Sequence, residues 1–329
     1  MKSIDVYGFG NGIVDVLVEV EENEFSQLGF EKGTMNLLEP EHQAELLSRF
    51  SDRDCKLVSG GSVANSIVLL AQLGAKTAFS CRLADDTYGM HYQSEFESHQ
   101  VQLASPFHVG GKSGTSVILI TPDAERTMRT SLGVSGDFGP EDLEEEFIRQ
   151  SHWIFIEGYL FCNPERGHAA VRYAIELAKK HDTKIAITLS DGWIVNDFRE
   201  EVEYALSNAH LIFVNETEAK VLTGCASGRE AFEQIQERYA SAAVTLGGEG
   251  VLVHSKDVAE PHVPAVSVEP MDLTGAGDAF AGGYLFGLVR GEDPINAAKG
   301  ANFLAAQVIK KVGARIHGDP QELWQSALL

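Results

Sequence analysis

The sequence predicts an α/β protein with a mainly parallel sheet, helices on both faces of that sheet and a small β lid over it. Apolar runs of strand length alternate with helical patterns through most of the 329 residues, which is typical of βαβ units. Two stretches break this alternation: residues 13–20 alternate with period two, and residues 107–131 contain strand-like runs without a helix between them. We therefore expect these two stretches to form the lid.

The same patterns predict the individual elements in chain order. Short apolar runs predict strands over residues 4–10, 153–156, 184–189, 211–214, 242–246 and 251–254. Longer periodic runs predict helices over residues 40–50, 62–73, 140–149, 166–180, 229–239, 276–289 and 294–310. On this basis residues 1–11, 40–104 and 133–329 form the core, and residues 12–39 and 105–132 form the lid.

The chain is strongly acidic, with 48 Asp and Glu residues against 26 Lys and Arg residues and a formal net charge of −22. Such a surface repels polyanions and offers no basic face to nucleic acid or to an anionic membrane. The N-terminal segment has no apolar signal core, and the longest uncharged stretch, residues 57–75, is interrupted by Gly, Ser, Asn and Gln. We expect a cytoplasmic protein that attracts any phosphate ester locally, through helix N-termini, backbone amides and a metal ion.

Two glycine-rich strings lack the residues that their nucleotide-binding motifs require. The string GFGNGI at residues 8–13 has Ile13 where a dinucleotide fingerprint needs its third glycine, and a strand pattern follows it. The string GGKS at residues 110–113 has the end of a Walker A loop, but Pro106 stands where the first glycine belongs. The sequence therefore disfavours a dehydrogenase and a P-loop enzyme.

The string DLTGAGDAFAGGYLFG, at residues 272–287, carries the strongest chemical signal. Gly275, Ala276 and Gly277 stand immediately before Asp278 at the start of an apolar helical pattern. Small residues there let backbone N–H groups approach an anion, and the helix dipole adds positive potential. Beside this anion hole, Asp278 is placed to accept the proton of an alcohol that attacks phosphorus. A lone Asp after a glycine is otherwise an ordinary helix-start residue, but the complete string favours a catalytic base.

Its TGAGDAF portion resembles the C-terminal signature of the ribokinase-like, or PfkB, kinases, and the resemblance extends over essentially the whole chain. The string GGSVANSIVLLAQLG at residues 60–74 resembles the N-terminal signature of the same family. The resemblance implies a three-layer α/β/α ribokinase-like core with a small β lid, and a phosphotransferase that uses ATP and Mg²⁺ on an alcohol group. It leaves open a requirement for a monovalent cation, and whether the protein is a monomer or a homodimer.

Two polar clusters match the substrate-binding positions of that family. Gly60, Gly61 and Asn65 match positions that contact substrate hydroxyls, and Asn11 and Asp15 in GNGIVD match the pair that holds the substrate diol. Paired glycines let a ring lie against the backbone, and a carboxylate accepts from two vicinal hydroxyls. Taken alone, the glycines would indicate a tight turn and Asp15 a solvent-facing side chain.

The string NETEAKVL follows a predicted strand, which puts Asn215 and Glu218 at the usual functional edge of an open α/β sheet. In similar kinases this NxxE string organises Mg²⁺, water and the phosphate chain, so the resemblance implies that Glu218 contacts the metal through water. A capping box at a helix start accounts for the same pair structurally, and the two interpretations are compatible.

The resemblance extends the nucleotide site to three further segments. In TLGGEGV it implies that Thr245, Gly247 and Gly250 lie near the phosphates or ribose of ATP, although an isolated string of this kind predicts only a β-turn. Asn302 matches the wall of the adenine pocket, although an apolar helix of this type is more often core. Arg126, a lid cation in an acidic chain, is as well suited to closing on the phosphates as to facing solvent.

The identity of the acceptor depends on finer resemblances. The lid string PDAERTMRTSLGVS and EKGTMNLLEP at residues 31–40 resemble adenosine-kinase-like members more than plain sugar kinases. Tyr159 and Phe161 follow a strand where adenosine kinases have aromatic residues against the base, and stacking favours a nucleobase by about 1–3 kcal/mol. Leu160 between them departs from that pattern. We predict transfer to the 5′-hydroxyl of a nucleoside, adenosine first; a kinase of a free sugar such as ribose or fructose, and a ligand-binding protein of the same fold, are the alternatives.

Overall fold

Nine strands form the central sheet in a computed structural model of the chain, which describes residues 2–123, 125–256, 258 and 261–327. Numbered along the chain together with the strands of the second sheet, they are β1 (Ile4–Phe9), β5 (Thr77–Ser80), β6 (Gln102–Leu103), β9 (Ser151–Glu157), β10 (Lys184–Thr188), β11 (Leu211–Asn215), β12 (Ala242–Thr245), β13 (Val251–His254) and β14 (His262–Val263). Their order is β14-β13-β12-β11-β10-β9-β1-β5-β6. All strands from β12 to β6 run parallel, and β13 and β14 pair antiparallel at one edge. The predicted mainly parallel sheet is confirmed.

Helices cover both faces of this sheet. They are α3 (Ser62–Gln72), α4 (Thr87–Ser98), α5 (Glu145–Gln150), α6 (Arg166–Lys180), α7 (Gly192–Asp197), α8 (Arg199–Asn208), α9 (Glu216–Thr223), α10 (Gly228–Arg238), α11 (Ala276–Arg290), α12 (Pro294–Val308) and α13 (Pro320–Ala327). Two further helices, α1 (Glu22–Gln27) and α2 (Pro40–Ser48), pack in the buried cluster of the second sheet. Helices α5 to α10 pack in the buried cluster on one face, and α3, α4 and α11 to α13 pack in the cluster on the other. Within the described ranges, no helix has the length and apolar character needed to cross a membrane.

The central strands are apolar at consecutive positions because both of their faces are buried. In β9, Ile154 and Ile156 belong to one buried cluster, whereas Trp153 and Phe155 belong to the other. Successive side chains of a strand point to opposite faces, so each face of the sheet receives every second residue. The result is the three-layer α/β/α core that the sequence predicts.

The lid is a five-stranded sheet. Its strands are β2 (Ile13–Glu19), β3 (Met35–Leu37), β4 (Lys56–Gly60), β7 (Gly114–Ile120) and β8 (Arg126–Ser131), in the order β3-β8-β7-β2-β4. The period-two pattern of β2 has the expected effect: Val14, Val16 and Val18 are buried, whereas Asp15 is on the other face of the strand and half-buried.

The structure corrects two predicted boundaries. Strand β4 was assigned to the core, but it pairs antiparallel with β2 in the lid sheet, and Leu46 of α2 packs in the buried cluster on that sheet. The predicted helix over residues 140–149 is interrupted, because a 3₁₀ turn at Pro140–Asp142 precedes α5 and Leu143 between them is extended. The Asp142 carboxylate accepts a hydrogen bond from the Gly139 amide at 2.8 Å, which closes that turn before a longer helix forms.

Candidate active site

Two adjoining cavities lie at the carboxyl edge of the parallel strands. The inner cavity, of about 130 Å³, is lined by residues that include Thr188, Ser190, Asn215, Glu218, Thr245 and Asp278. The lid cavity, of about 230 Å³, is lined by residues that include Asn11, Asp15, Gly61, Glu157, Tyr159 and Trp193. Ser62 lines both, so the two cavities meet at the start of α3. This edge is where open α/β sheets bind ligands.

Asp278 lies in the first turn of α11, at the wall of the inner cavity. The Ser62 hydroxyl donates a hydrogen bond to its Oδ1 at 2.5 Å, and the Asn65 side-chain amide donates one to its Oδ2 at 2.8 Å. These two bonds join the predicted substrate segment to the predicted base across the two cavities. They also fix the orientation of the carboxylate, because each oxygen is held by a different donor.

The charge state of Asp278 reflects opposing effects. Burial raises the pKa of Asp278 above its usual value, whereas the hydrogen bonds from Ser62 and Asn65 and the charge of Arg315 lower the pKa. A raised pKa makes a carboxylate a stronger proton acceptor than an ordinary Asp.

Backbone amides approach the inner cavity where α11 begins. Gly275 is the N-cap in the left-handed conformation, with φ of 79°, and no side chain of the described chain caps this helix. A Cβ added to Gly277 would meet no atom within 4 Å, so its backbone borders open space. The Ala276 amide donates to the Leu273 carbonyl at 3.3 Å and is less available than the other two. Of the three residues predicted to form an anion hole, Gly277 is the one that lines the inner cavity.

Glu157, which the sequence analysis missed, is a buried carboxyl in the lining of the lid cavity. This side chain is fully buried; its Oε1 accepts from the Asn11 amide at 3.1 Å and its Oε2 from the Val63 amide at 3.0 Å. Burial raises the pKa of Glu157 to about 7. The Glu157 carboxyl therefore joins the segment that follows β1 to the first turn of α3. The only sequence signal for this role is an ionisable residue directly after an apolar run.

Asp15 and the paired glycines meet at the same place. Burial raises the pKa of Asp15 to about 6, against the charges of Arg126 and Arg315. A Cβ added to Gly60 would lie 3.2 Å from Oδ2 of Asp15, and one added to Gly61 would lie 2.2 Å from the Asn11 carbonyl oxygen. Glycine is therefore needed at Gly61 to bring these segments together.

Asn215 and Glu218 confirm the capping box, and their predicted role toward Mg²⁺ and phosphate stays a prediction. They form a capping box, in which the Glu218 amide donates to Asn215 Oδ1 at 2.9 Å and the Asn215 amide donates to Glu218 Oε2 at 3.0 Å. Both also line the inner cavity. Burial raises the pKa of Glu218 to about 7.

The remaining predicted nucleotide residues lie apart from one another. Thr245 lines the inner cavity, and Gly247 and Gly250 have positive φ in the turn that joins β12 to β13. Asn302 lines neither cavity, because its side-chain amide donates to the Val263 and Pro264 carbonyls at 3.2 and 3.0 Å. This geometry gives Asn302 a structural contact to β14, and its predicted place in an adenine pocket stays a prediction.

Arg126 pairs with a residue that the sequence analysis quoted but did not assign. Its Nη1 donates to Oδ2 of Asp272 at 2.6 Å, and both side chains are less than one-tenth exposed. Asp272 also accepts from the Gly313 amide at 2.7 Å. The pair ties lid strand β8 to the loop before α11. Arg126 therefore lies beside the predicted anion hole, with part of its charge already matched by Asp272.

Of the two predicted aromatic contacts, only that of Tyr159 lies at the lid cavity. Tyr159 lines the lid cavity, but Phe161 is 1% exposed and packs edge-on against His168 in the core. Residues 158–162 form a 3₁₀ turn, in which positions three apart share a face, so Cys162 rather than Phe161 accompanies Tyr159 at the cavity. The second ring comes from Trp193 on α7, which lines the cavity and is 42% exposed.

The chain is similar to known kinases of small hydroxylated molecules. The family model for the pfkB family of carbohydrate kinases matches residues 38–321. The crystal structure of adenosine kinase from Sinorhizobium meliloti is 32% identical over 98% of this chain and 99% of that one, with a TM-score of 0.88. A probable sugar kinase from Rhizobium etli CFN 42 is 30% identical over 100% of both chains, with a TM-score of 0.89. Ribokinase from Mus musculus is 26% identical over 78% of this chain and 80% of that enzyme.

Proposed function

Since the chain belongs to the pfkB family of carbohydrate kinases and is a phosphotransferase with an alcohol acceptor, we propose that it transfers the γ-phosphoryl group of ATP to the 5′-hydroxyl of a nucleoside, preferably adenosine. The family match confirms the resemblance that the TGAGDAF string predicted. The nucleoside and the residue roles given below are the new parts of the proposal.

The lid cavity is the observation that carries the proposal. Its lining combines Asn11, Asp15 and Glu157, whose oxygens can accept hydrogen bonds from vicinal hydroxyls, with the rings of Tyr159 and Trp193. A ribose held by the polar side chains has its base in the same cavity as those rings, where stacking is worth about 1–3 kcal/mol. A free sugar has no base to stack on them.

Asp278 acts as the base in this proposal. The substrate oxygen forms a bond to the γ-phosphorus, the bond from that phosphorus to the bridging oxygen of ADP breaks, and the hydroxyl proton passes to the Asp278 carboxylate. Ser62 and Asn65 hold the carboxylate at the junction of the two cavities, where the acceptor and the phosphate chain meet. The amides at the start of α11 face the negative charge of the phosphoryl group.

The inner cavity suits a phosphate chain with its Mg²⁺. No group of three or more His, Cys, Asp or Glu side chains in the described ranges is arranged to hold a metal ion, which agrees with an ion carried largely by phosphate oxygens and waters. Glu218 would hold one such water. Hydrogen bonds from Asn215 to both of its side-chain oxygens keep the Glu218 side chain in place. The bound ion supplies positive charge to the phosphate oxygens.

A free-sugar kinase is the second candidate, and Glu157 favours it. A third acceptor side chain in the lid cavity suits a compact polyol whose hydroxyls exceed those of a nucleoside ribose. The similarity to a probable sugar kinase is consistent with that candidate. The rings of Tyr159 and Trp193 in the same cavity argue for the nucleoside.

A substrate screen with ATP and Mg²⁺ tests the proposal. Adenosine, inosine, ribose and fructose are compared by kcat/KM, and we expect adenosine to exceed both free sugars by about tenfold or more, as base stacking predicts. A preference for ribose or fructose would refute the nucleoside assignment and leave the kinase activity intact.

A further inference from the structure

Ser190 combines two unfavourable features at the wall of the inner cavity. Its backbone is left-handed, with φ of 68°, a conformation that residues other than glycine rarely adopt. Its Oγ is buried and has no hydrogen-bond partner among the described residues. Each feature costs free energy.

The strain comes from a three-residue turn centred on Ser190. The Asp191 amide donates to the Leu189 carbonyl at 2.8 Å, which closes a γ-turn around a residue of positive φ. This type of γ-turn is rare and strained. A Cβ added to Gly158 would lie 2.2 Å from the Leu189 carbonyl oxygen, so close packing against the end of β9 holds the turn in place.

Helix termination does not account for this conformation. Two other residues of the described chain apart from glycines have positive φ, and both of them, Gln100 and Asp182, directly follow the C-cap of a helix. The left-handed conformation is common at that position. Ser190 instead follows strand β10 and precedes Asp191, the N-cap of α7.

We propose that Ser190 is a catalytic residue whose hydroxyl donates a hydrogen bond to an oxygen of the transferring phosphoryl group. It lines the inner cavity together with Gly277 and Asp278. Because its Oγ is buried in the structure, the hydroxyl turns toward an acceptor in the cavity by a change between staggered rotamers, which needs no backbone movement. A hydroxyl that donates there stabilises the charge that develops on a phosphoryl oxygen.

This inference rests on the proposed kinase function, and it explains why the strain persists. Ser190 without a ligand is a donor lacking an acceptor, and a phosphoryl oxygen is the acceptor that the proposed reaction brings to the cavity. The backbone strain at Ser190 is then the cost of keeping a hydroxyl donor at the wall of the cavity, and strained residues are common in active sites for this kind of reason.

Two substitutions separate the hydroxyl from the strained turn. Ser190→Ala removes the hydroxyl and keeps the backbone restriction, and Ser190→Gly removes both. Ser105→Ala is the matched control, because Ser105 also has a buried hydroxyl without a partner in the described chain but lines neither cavity. Asp182→Gly is the control for relief of a positive φ far from the cavities. Steady-state kinetics, melting curves and calorimetric binding of a non-hydrolysable ATP analogue are measured for each variant.

Both Ser190 variants are expected to lose kcat/KM for ATP by about 10²-fold, the effect of removing one donor to a developing oxyanion. Their melting temperatures should equal or exceed that of the wild type, and both control variants should keep wild-type kinetics.

The inference is wrong if Ser190→Ala keeps more than about a third of kcat/KM, or if its loss of activity comes with a lowered melting temperature, because the hydroxyl would then be structural. A nearly fully active Asp278→Asn would instead refute the proposed base, and the Ser190 variants would still be judged by their own results.

Discussion

The Ser62 hydroxyl donates a hydrogen bond to Oδ1 of Asp278 at 2.5 Å, which joins the first turn of α3 to the first turn of α11. Ser62 also lines both cavities, so this contact lies where an acceptor hydroxyl would meet a phosphate chain. The contact has a direct consequence for the pH dependence of the reaction, because it lowers the pKa of Asp278 against the effect of burial.

Ser62→Ala should therefore move the acidic limb of the kcat/KM profile to higher pH. Loss of a hydrogen bond to the charged form raises the pKa of the base further, and a bond worth about 1.4 kcal/mol corresponds to about one pH unit. Ser66→Ala is the control, because Ser66 donates to the backbone carbonyl of Asp278 and not to its carboxylate. An acidic limb at the same pH in Ser62→Ala and in the wild type would contradict the role of this contact.

Asp15→Ala should raise KM for the acceptor far more than KM for ATP. Asp15 lines the lid cavity and not the inner one, and loss of a charge-assisted hydrogen bond to a hydroxyl costs about 1.5–3 kcal/mol, which is about 10- to 100-fold in binding. Both KM values are measured by varying one substrate at saturating levels of the other. Equal increases in the two would mean that Asp15 does not hold the diol.

Trp193→Ala should reduce the preference for a nucleoside over a free sugar. The substitution removes one of the two rings, those of Tyr159 and Trp193, that line the lid cavity. The stacking energy lost is about 1–3 kcal/mol, so kcat/KM for adenosine should fall by the corresponding factor, whereas kcat/KM for ribose should change little. Tyr173→Ala removes a similarly exposed ring from the outer surface of α6 and serves as the control. A parallel fall for both acceptors would remove the support that Trp193 gives to the nucleoside.

Glu157 predicts a pH-dependent difference in stability. Burial raises the pKa of Glu157 to about 7 in the folded protein, so folding favours the neutral form of this side chain. The resulting contribution to the free energy of unfolding is fully present below the pKa of the unfolded state, and it is lost as the pH rises through about 7. The stability of the wild type relative to Glu157→Gln should therefore fall by about 3 kcal/mol between about pH 4.5 and pH 7.5. Denaturant unfolding of both proteins across this range measures it, and a constant difference would contradict the raised pKa.

The local strings of the sequence predicted the chemistry, whereas the tertiary contacts could not be predicted from it. Asp278 was identified because an anion site at a helix start needs only small residues next to one another. Glu157 was missed because its partners, Asn11 and Val63, are 146 and 94 residues away along the chain, and nothing in an apolar strand indicates which distant amides it accepts from.

The errors have equally specific causes. Phe161 was predicted beside the base because adenosine kinases have aromatic residues at about this place, but the segment folds as a 3₁₀ turn with a repeat of three, and Phe161 is buried in the core. Residues 56–60 fell within the predicted core range of residues 40–104, and no strand was predicted there. Their pairing with β2 depends on a contact between segments about 40 residues apart.

Asp278→Asn is the most direct test of the account, because Asn keeps the size and polarity of the side chain but cannot accept the proton at neutral pH. General-base catalysis contributes about 10²- to 10⁴-fold, so kcat should fall by about that factor. A melting curve should show an undisturbed fold and a calorimetric titration a similar affinity for ATP, since the amides at the start of α11 remain. A folded Asp278→Asn variant that retained more than about a tenth of the wild-type kcat would contradict the assignment of Asp278 as the base.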